Sequence, residues 1–242
     1  MTRKFFCFLL IFSLGFLSSG LLDCLFAYDE IPVENGGELS GTLTYLGQQP
    51  AIRAIKVVLN PEYCGNTIYD ESYIVNPQNK GLENVVVSIE GIERGKKADG
   101  RVVHVENLKC HFVPHVQAGM EGHFFEITNL DPVLHNNHFR INERTIFNMA
   151  MPPNGKRVSK RLPEPGIVNM VCDAHTFMKG AIFVTSNPYF AVTDKNGNYN
   201  ISNIPPGKYL VKIWHEALPQ QENEIVIYPH SKTNLSLNLG SK

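Results

Sequence analysis

The chain is short of charge of any one sign: 22 Lys+Arg stand against 23 Asp+Glu, and only 19% of its 242 residues are charged. No Lys/Arg-rich run occurs anywhere, so the sequence carries no electrostatic footprint for nucleic acid or for an anionic membrane surface. Several catalytic signatures are also missing. There is no H-E-x-x-H of a zinc peptidase, no G-x-S-x-G, no C-x-x-C-H for haem and no P-loop. No His-x-His pair exists from which a trinuclear copper cluster could be built. These absences point away from an enzyme. No internal repeat or low-complexity tract is present. A single Trp and five Cys complete the scarce residues, whereas 19 Gly and 15 Pro spread along the chain favour a turn-rich architecture over long helices.

What is present begins with an export signal. Arg3 and Lys4 precede an apolar run from Phe5 to Leu22, and the sequence predicts cleavage after Ala27. An uncleaved anchor is the alternative, since the run is just long enough to span a membrane. Cys24 follows Asp23, where a lipid-modified cysteine would need a small residue, so no lipidation is expected. The mature protein is expected in the periplasm or outside the cell, with no membrane embedding once residues 1–27 are removed.

Cleavage removes Cys7 and Cys24 and leaves Cys64, Cys110 and Cys172. An odd number in an oxidising compartment implies one bonded pair and one thiol with another task. The surroundings of Cys172 single it out, leaving Cys64 and Cys110 as the disulfide; a free or metal-bound Cys110 beside His111 is the alternative.

Periodicity gives many short strands and almost no helix. Alternation runs through ELSGTLTYLG, NVVVSIEG, RVVHVENL, HFFEITNL, KGAIFVT, NYNIS, KYLVKIW and NEIVIY, each bounded by Gly, Pro, Asn or Asp. The fold class expected is all-β, in the form of β-sandwiches. Asn196-Gly197 suits a two-residue type I′ hairpin between FAVTD and NYNIS, and Asn154-Gly155 marks a second turn. The stretch Gly91 to Gly100 reads as a linker at a boundary.

Seven of the nine histidines fall between His104 and His175. Within that segment His135 lies in NLDPVLHNNHF, and 37 residues on comes CDAHTFM, which supplies Cys172, His175 and Met178. A thiolate and two imidazoles form a trigonal plane suited to a soft ion, and a thioether adds a weak axial bond; this is the donor set of an electron-transfer copper site. The spacing C-x2-H-x2-M lets one loop between two strands provide three donors, while His135 must come from another strand end. His111, His115, His123, His138, His215 and His230 have no such spacing and are expected to be structural or solvated. Trp214 is expected in a core, and Met149 and Met151 as an apolar rim.

These residues carry a resemblance. LHNNHF together with CDAHTFMKG resembles the cupredoxins, the small blue copper proteins, and the short gap between His175 and Met178 is most similar to their amicyanin-type members. The resemblance covers residues 98–187. It implies a Greek-key sandwich holding one type 1 copper, with His135, Cys172, His175 and Met178 as ligands and Asn136 tying the first-ligand segment to the Cys loop. It further implies a one-electron carrier with protein redox partners, and an exposed imidazole edge at His175 as the electron exit. A copper chaperone or sensor, or a structural envelope module, is the alternative. Amicyanin-type loops carry prolines beside the ligating His; here Ala174 and Thr176 stand there, and Asp173 adds an acid next to the thiolate.

The C-terminal part, Asn187 to Glu216, resembles instead the transthyretin-like, carboxypeptidase regulatory-like sandwich, a non-catalytic module with a T-D-x-x-G-x-F/Y hairpin and a P-P-G-x-Y strand. Its usual opening strands match GTLTYLG and NVVVSIEG, which precede the copper segment. The expected arrangement is therefore discontinuous: residues 28–97 and 188–242 as one sandwich, with 98–187 inserted between two of its strands.

Overall fold

The structure is a computed structural model that describes residues 28–48 and 51–240; the signal read at residues 1–27 lies outside them. Apart from one turn of helix, Pro61–Cys64, every element is a β-strand. No helix among the described residues is long and apolar enough to cross a membrane.

Two sandwiches form. In the first, one sheet runs in the order Phe190–Val192, Val86–Ile89, Gly207–His215, Leu218–Ile227. The other is built on Gly37–Tyr45, flanked by Asn198–Ile204 on one edge and by Lys232–Asn234 and Leu237–Leu239 on the other. Strands from before and after the His-rich segment thus pair directly: Val87 stands opposite Ile213, and Leu39 opposite Ile201. Leu39, Leu43, Val87, Ile89, Tyr189, Ile201, Val211 and Ile227 close the core between the sheets.

The second sandwich lies between those strands in sequence. One sheet orders Val158–Arg161, Phe124–Asn129, Val103–Leu108 and His111–Val113. The facing sheet orders Arg144–Met151, His135–Ile141, Gly166–Cys172, Lys179–Thr185 and Val116–Met120. Its core is aromatic. Phe125, Phe139 and Phe147 stack with ring centroids 5.5–5.9 Å apart, and Phe112 meets Phe139 edge-on.

Lys179–Thr185 and Val86–Ile89 are buried along almost their whole length. Each has one face in its own core and the other against the neighbouring sandwich, which is why Val86–Val87 and Ala181–Val184 are apolar on both faces instead of alternating as expected from the sequence. Ala181, Phe183 and Val116 meet Val86 and Trp214 at this seam, with the Phe183 and Trp214 rings 5.8 Å apart. The chain returns from the second sandwich through Asn187, whose amide donates to Ile89 O and accepts from Tyr189 N, both at 2.9 Å.

Two sequence expectations need correction. FAVTD and NYNIS are not paired as a hairpin, because their strands belong to opposite sheets and the turn carries the chain across the sandwich. Only Gly197 of the expected Asn196-Gly197 pair has a positive φ, 78°, and it packs so closely on Leu43 O that a Cβ would lie 2.2 Å from that oxygen. Asn154-Gly155 does form a turn, through Gly155 N to Pro152 O, but it too joins strands of different sheets. The supposed linker is pinned: Arg94–Gly95 pairs with Asp29–Glu30, Lys96 N donates to Tyr189 Oη, and Ile92 and Ala98 are buried.

Ala54–Lys56 and Thr67–Tyr69 form a small antiparallel ladder, with the Pro61–Cys64 turn between them. Although they precede the His-rich segment by some distance in sequence, Val57, Cys64 and Ile68 pack into the core of the second sandwich. Cys64 is bonded to Cys110 there.

Candidate metal centre

The loop from Cys172 to Met178 joins two antiparallel strands in which Val171 stands opposite Lys179. It is closed by its own backbone: Met178 N donates to His175 O at 2.8 Å and Cys172 N to Met178 O at 3.3 Å. The next strand, His135–Ile141, pairs Asn137 with Cys172, so His135 projects from the strand end beside the loop. Pairing alone thus brings a remote histidine to the Cys loop.

His135 Nδ1 and His175 Nδ1 each lie 3.8 Å from Cys172 Sγ. One ion can bond both atoms of such a pair, since metal–sulfur and metal–nitrogen bonds are about 2.3 and 2.0 Å. All three side chains are buried, and their donor atoms fall within 4.8 Å of one another. The two imidazole rings are 4.7 Å apart. Met178 is buried in the same packed cluster as Cys172. The amides of Asn136 and His175 both donate to Cys172 Sγ at 3.3 Å and orient the sulfur. The donor set, one thiol sulfur, two imidazole nitrogens and a nearby thioether, fits a soft ion such as copper.

Asn136 ties the two segments through its backbone alone, its carbonyl also accepting from Asp173 N at 3.1 Å. Its side-chain oxygen is buried without a partner. The neighbour, Asn137, uses its side chain instead to reach the facing sheet, exchanging two hydrogen bonds with Asn107 at 2.9 and 3.0 Å.

The outer nitrogens of both imidazoles are held by residues that sequence reasoning missed. Asp131 Oδ2 lies 2.9 Å from His135 Nε2, and Asn60 Oδ1 lies 3.2 Å from His175 Nε2. Such outer hydrogen bonds fix the tautomer that leaves Nδ1 free to bind a metal. Asp131 is fully buried and also accepts from Lys109 N, Cys110 N and Tyr63 Oη at 2.7–2.8 Å. Lys109 and Cys110 both have positive φ, 51° and 60°, and form the two-residue turn that joins Leu108 to His111. A type I′ turn usually needs Asn or Gly; here the Asp131 carboxylate satisfies both amides and the disulfide holds the backbone in place. Asp131 sits four residues before His135, so the LDPVLH spacing was its only signal. Nothing local in NPEYC marked Asn60.

Burial works against charging Asp131, yet these four donors together hold its carboxyl below the usual range. Burial pushes His135 down against the pull of Asp131, and His175 is pushed down by burial and by the His135 ring beside it. Both imidazoles are therefore kept neutral, the form that binds a metal.

The expected exposed edge at His175 is not there. His175 is 1% exposed, because residues 57–64 lie over it and Phe177 covers it from the side, ring centroids 5.7 Å apart. The other histidines do not join this donor set. His111 and His115 both approach Glu71, at 2.9 and 3.7 Å, and His115 also bonds Glu216 across the seam. His138 pairs with Asp173 at 3.0 Å, which occupies the acid next to the thiolate. His215 packs against the Tyr73 ring, and burial takes it down to about 4. Met151 is buried beside His135, whereas Met149 is 39% exposed.

No protein-family model and no curated protein matches the chain. The solved structures that it is similar to include copper proteins, each over part of the chain. A copper-containing nitrite reductase from Thermus scotoductus SA-01 is 24% identical with a TM-score of 0.31, over 35% of this chain and 22% of that one. A purple cupredoxin from Nitrosopumilus maritimus is 22% identical, TM-score 0.30, over 34% and 99%. A reduced Cu(I) form of an amicyanin variant is 23% identical, TM-score 0.32, over 41% and 98%.

Proposed function

We propose that the protein is an exported one-electron carrier whose second sandwich holds a single type 1 copper through His135, Cys172, His175 and, axially, Met178. The observation that carries this reading is the pair of 3.8 Å approaches of His135 Nδ1 and His175 Nδ1 to Cys172 Sγ, with both outer nitrogens already engaged. When bound, copper would supply a one-electron couple between its cuprous and cupric forms. The chain's own residues would hold the donors rigid across both forms: Asp131 and Asn60 orient the rings, and the amides of Asn136 and His175 orient the sulfur.

A chaperone that hands copper on would need open, exchangeable donors. The three donors here are buried and covered, which favours retention and hence the carrier. In this reading residues 28–97, apart from the 54–69 segment that packs on the second sandwich, and 188–242 form a non-catalytic, carboxypeptidase regulatory-like support into which residues 98–187 are inserted, and the partners are redox proteins in the periplasm or outside the cell. The Cys64–Cys110 bond suits that compartment.

The test is a Cu(II) titration of the signal-free protein followed by visible absorption and EPR. One copper per chain with an intense band, bleached reversibly by a reductant, is expected. Cys172→Ser should remove the band entirely, because it is thiolate-to-copper charge transfer; a variant that keeps it would refute the assignment.

A further inference from the structure

Residues 57–64 contribute nothing to the proposed ligand set, yet they are fastened to it at three points. Asn60 Oδ1 meets His175 Nε2 at 3.2 Å, Tyr63 Oη donates to Asp131 Oδ1 at 2.8 Å, and Cys64 is bonded to Cys110. The two disulfide sulfurs lie within 4.8 Å of a ring nitrogen of His175, and all three residues are buried. Behind them Val57 anchors in the core, its N–H bonded to Asn66 O at 3.0 Å, while Val58 and Leu59 face outward.

Asn60 is shaped for this contact. It takes the left-handed conformation, φ 54° and ψ 43°, and its backbone carbonyl accepts from Tyr63 N and Cys64 N at 3.1 and 2.9 Å. Left-handed backbone is uncommon for a residue other than glycine, and Asn is among the side chains that adopt it most readily. Its Nδ2 is turned to Glu62 Oε1 at 3.3 Å, which leaves Oδ1 as the atom facing the imidazole.

We infer that residues 57–64 form a covalently tethered cap on the metal centre, in which Asn60 is the positioning residue for His175 and the Cys64–Cys110 bond governs how readily the metal leaves. This rests on the copper reading above. Swinging His175 away from Cys172 breaks its bond to Asn60, and Asn60 sits four residues from a cysteine fixed to the opposite wall. His135 is held from the same side, through Asp131 and Tyr63. The cap therefore couples both imidazoles to one disulfide, and it occupies the face through which His175 would otherwise meet solvent.

Two measurements test the cap. In the first, the cuprous protein is mixed with excess of a Cu(I)-specific chelator and the rate of copper loss is followed. Asn60→Ala should lose copper roughly tenfold faster, the usual scale for removing a partner of a metal-bound histidine. Asn60→Asp, which keeps an oxygen acceptor, should stay near the wild-type rate. The double variant Cys64→Ser/Cys110→Ser should release copper about a hundredfold faster, as expected for freeing a tethered segment. In the second, nitrogen NMR of the metal-free protein should find the proton of His175 on Nε2, and Asn60→Ala should lose that preference.

Variants that display the wild-type absorption band but release copper at the wild-type rate would overturn the cap, as would a metal-free His175 protonated on Nδ1. Absence of any thiolate–copper band in the wild type would sink the copper reading instead, and the NMR result would still decide the cap.

Discussion

The two sandwiches share an architecture and differ in where they bury polar groups. In the first, buried polar side chains serve its own backbone: Thr193 accepts from Val85 N and donates to Leu82 O, and Asn187 ties the crossing segment to Ile89 and Tyr189. In the second, Asn107, Asn129, Asp131, His135, Asn137 and His175 are all buried within one sandwich. Most converge at its loop end around Cys172. The same layered fold is a support in one case and a site in the other, because burying unpaired polar groups is costly and only a network that satisfies nearly every donor can hold them.

That contrast can be broken or sharpened. The largest effect is expected from Asp131→Ala, which strips four donors of their acceptor. It should cost at least about 3–5 kcal/mol in denaturant melts and weaken copper binding with it. Next, Leu43→Ala in the first core should cost about 2–5 kcal/mol yet leave the copper band of the folded protein unchanged; a shifted band would mean that the two cores are not energetically separate. Thr193→Val, which removes two buried hydrogen bonds, should cost about 1–3 kcal/mol, again with no spectral change.

The smallest effect concerns the seam. Burial disfavours a charged His115, but Glu216 and Glu71 outweigh it and raise its pKa. A histidine raised in the folded state adds stability that is complete below its ordinary value, about 6.5, and is lost as pH rises through the folded value. Wild type should therefore lose more Tm than His115→Gln between mildly acidic and alkaline pH. Equal losses would show that this pair does not help to join the sandwiches.

Legibility in the sequence followed the range of the interactions. Strands such as Val103–Leu108 and Phe124–Asn129 were legible because alternation is a local record of which face is buried. Cys172, His175 and Met178 were legible because one loop carries them, and His135 because its segment is distinctive. The Lys109–Cys110 turn was not, since neither residue favours positive φ and the carboxylate that permits it comes from Asp131. The error over FAVTD and NYNIS has a related cause: turn residues reveal where the chain reverses, but not whether it stays in the same sheet.

The sequence by itself thus determined an all-β chain and set one thiol apart from a bonded pair, because alternation is local and cysteine parity needs no geometry; short spacing also grouped Cys172, His175 and Met178 as candidate donors. The flanking motifs already suggested that strands on either side of the His-rich segment belong to one sandwich, and the tertiary structure pairs them, Val87 with Ile213 and Leu39 with Ile201. It alone decided that Asn60, 115 residues from His175, closes the centre. Contacts of that separation depend on how two sandwiches and a disulfide place distant backbone, and no local pattern of side chains encodes them.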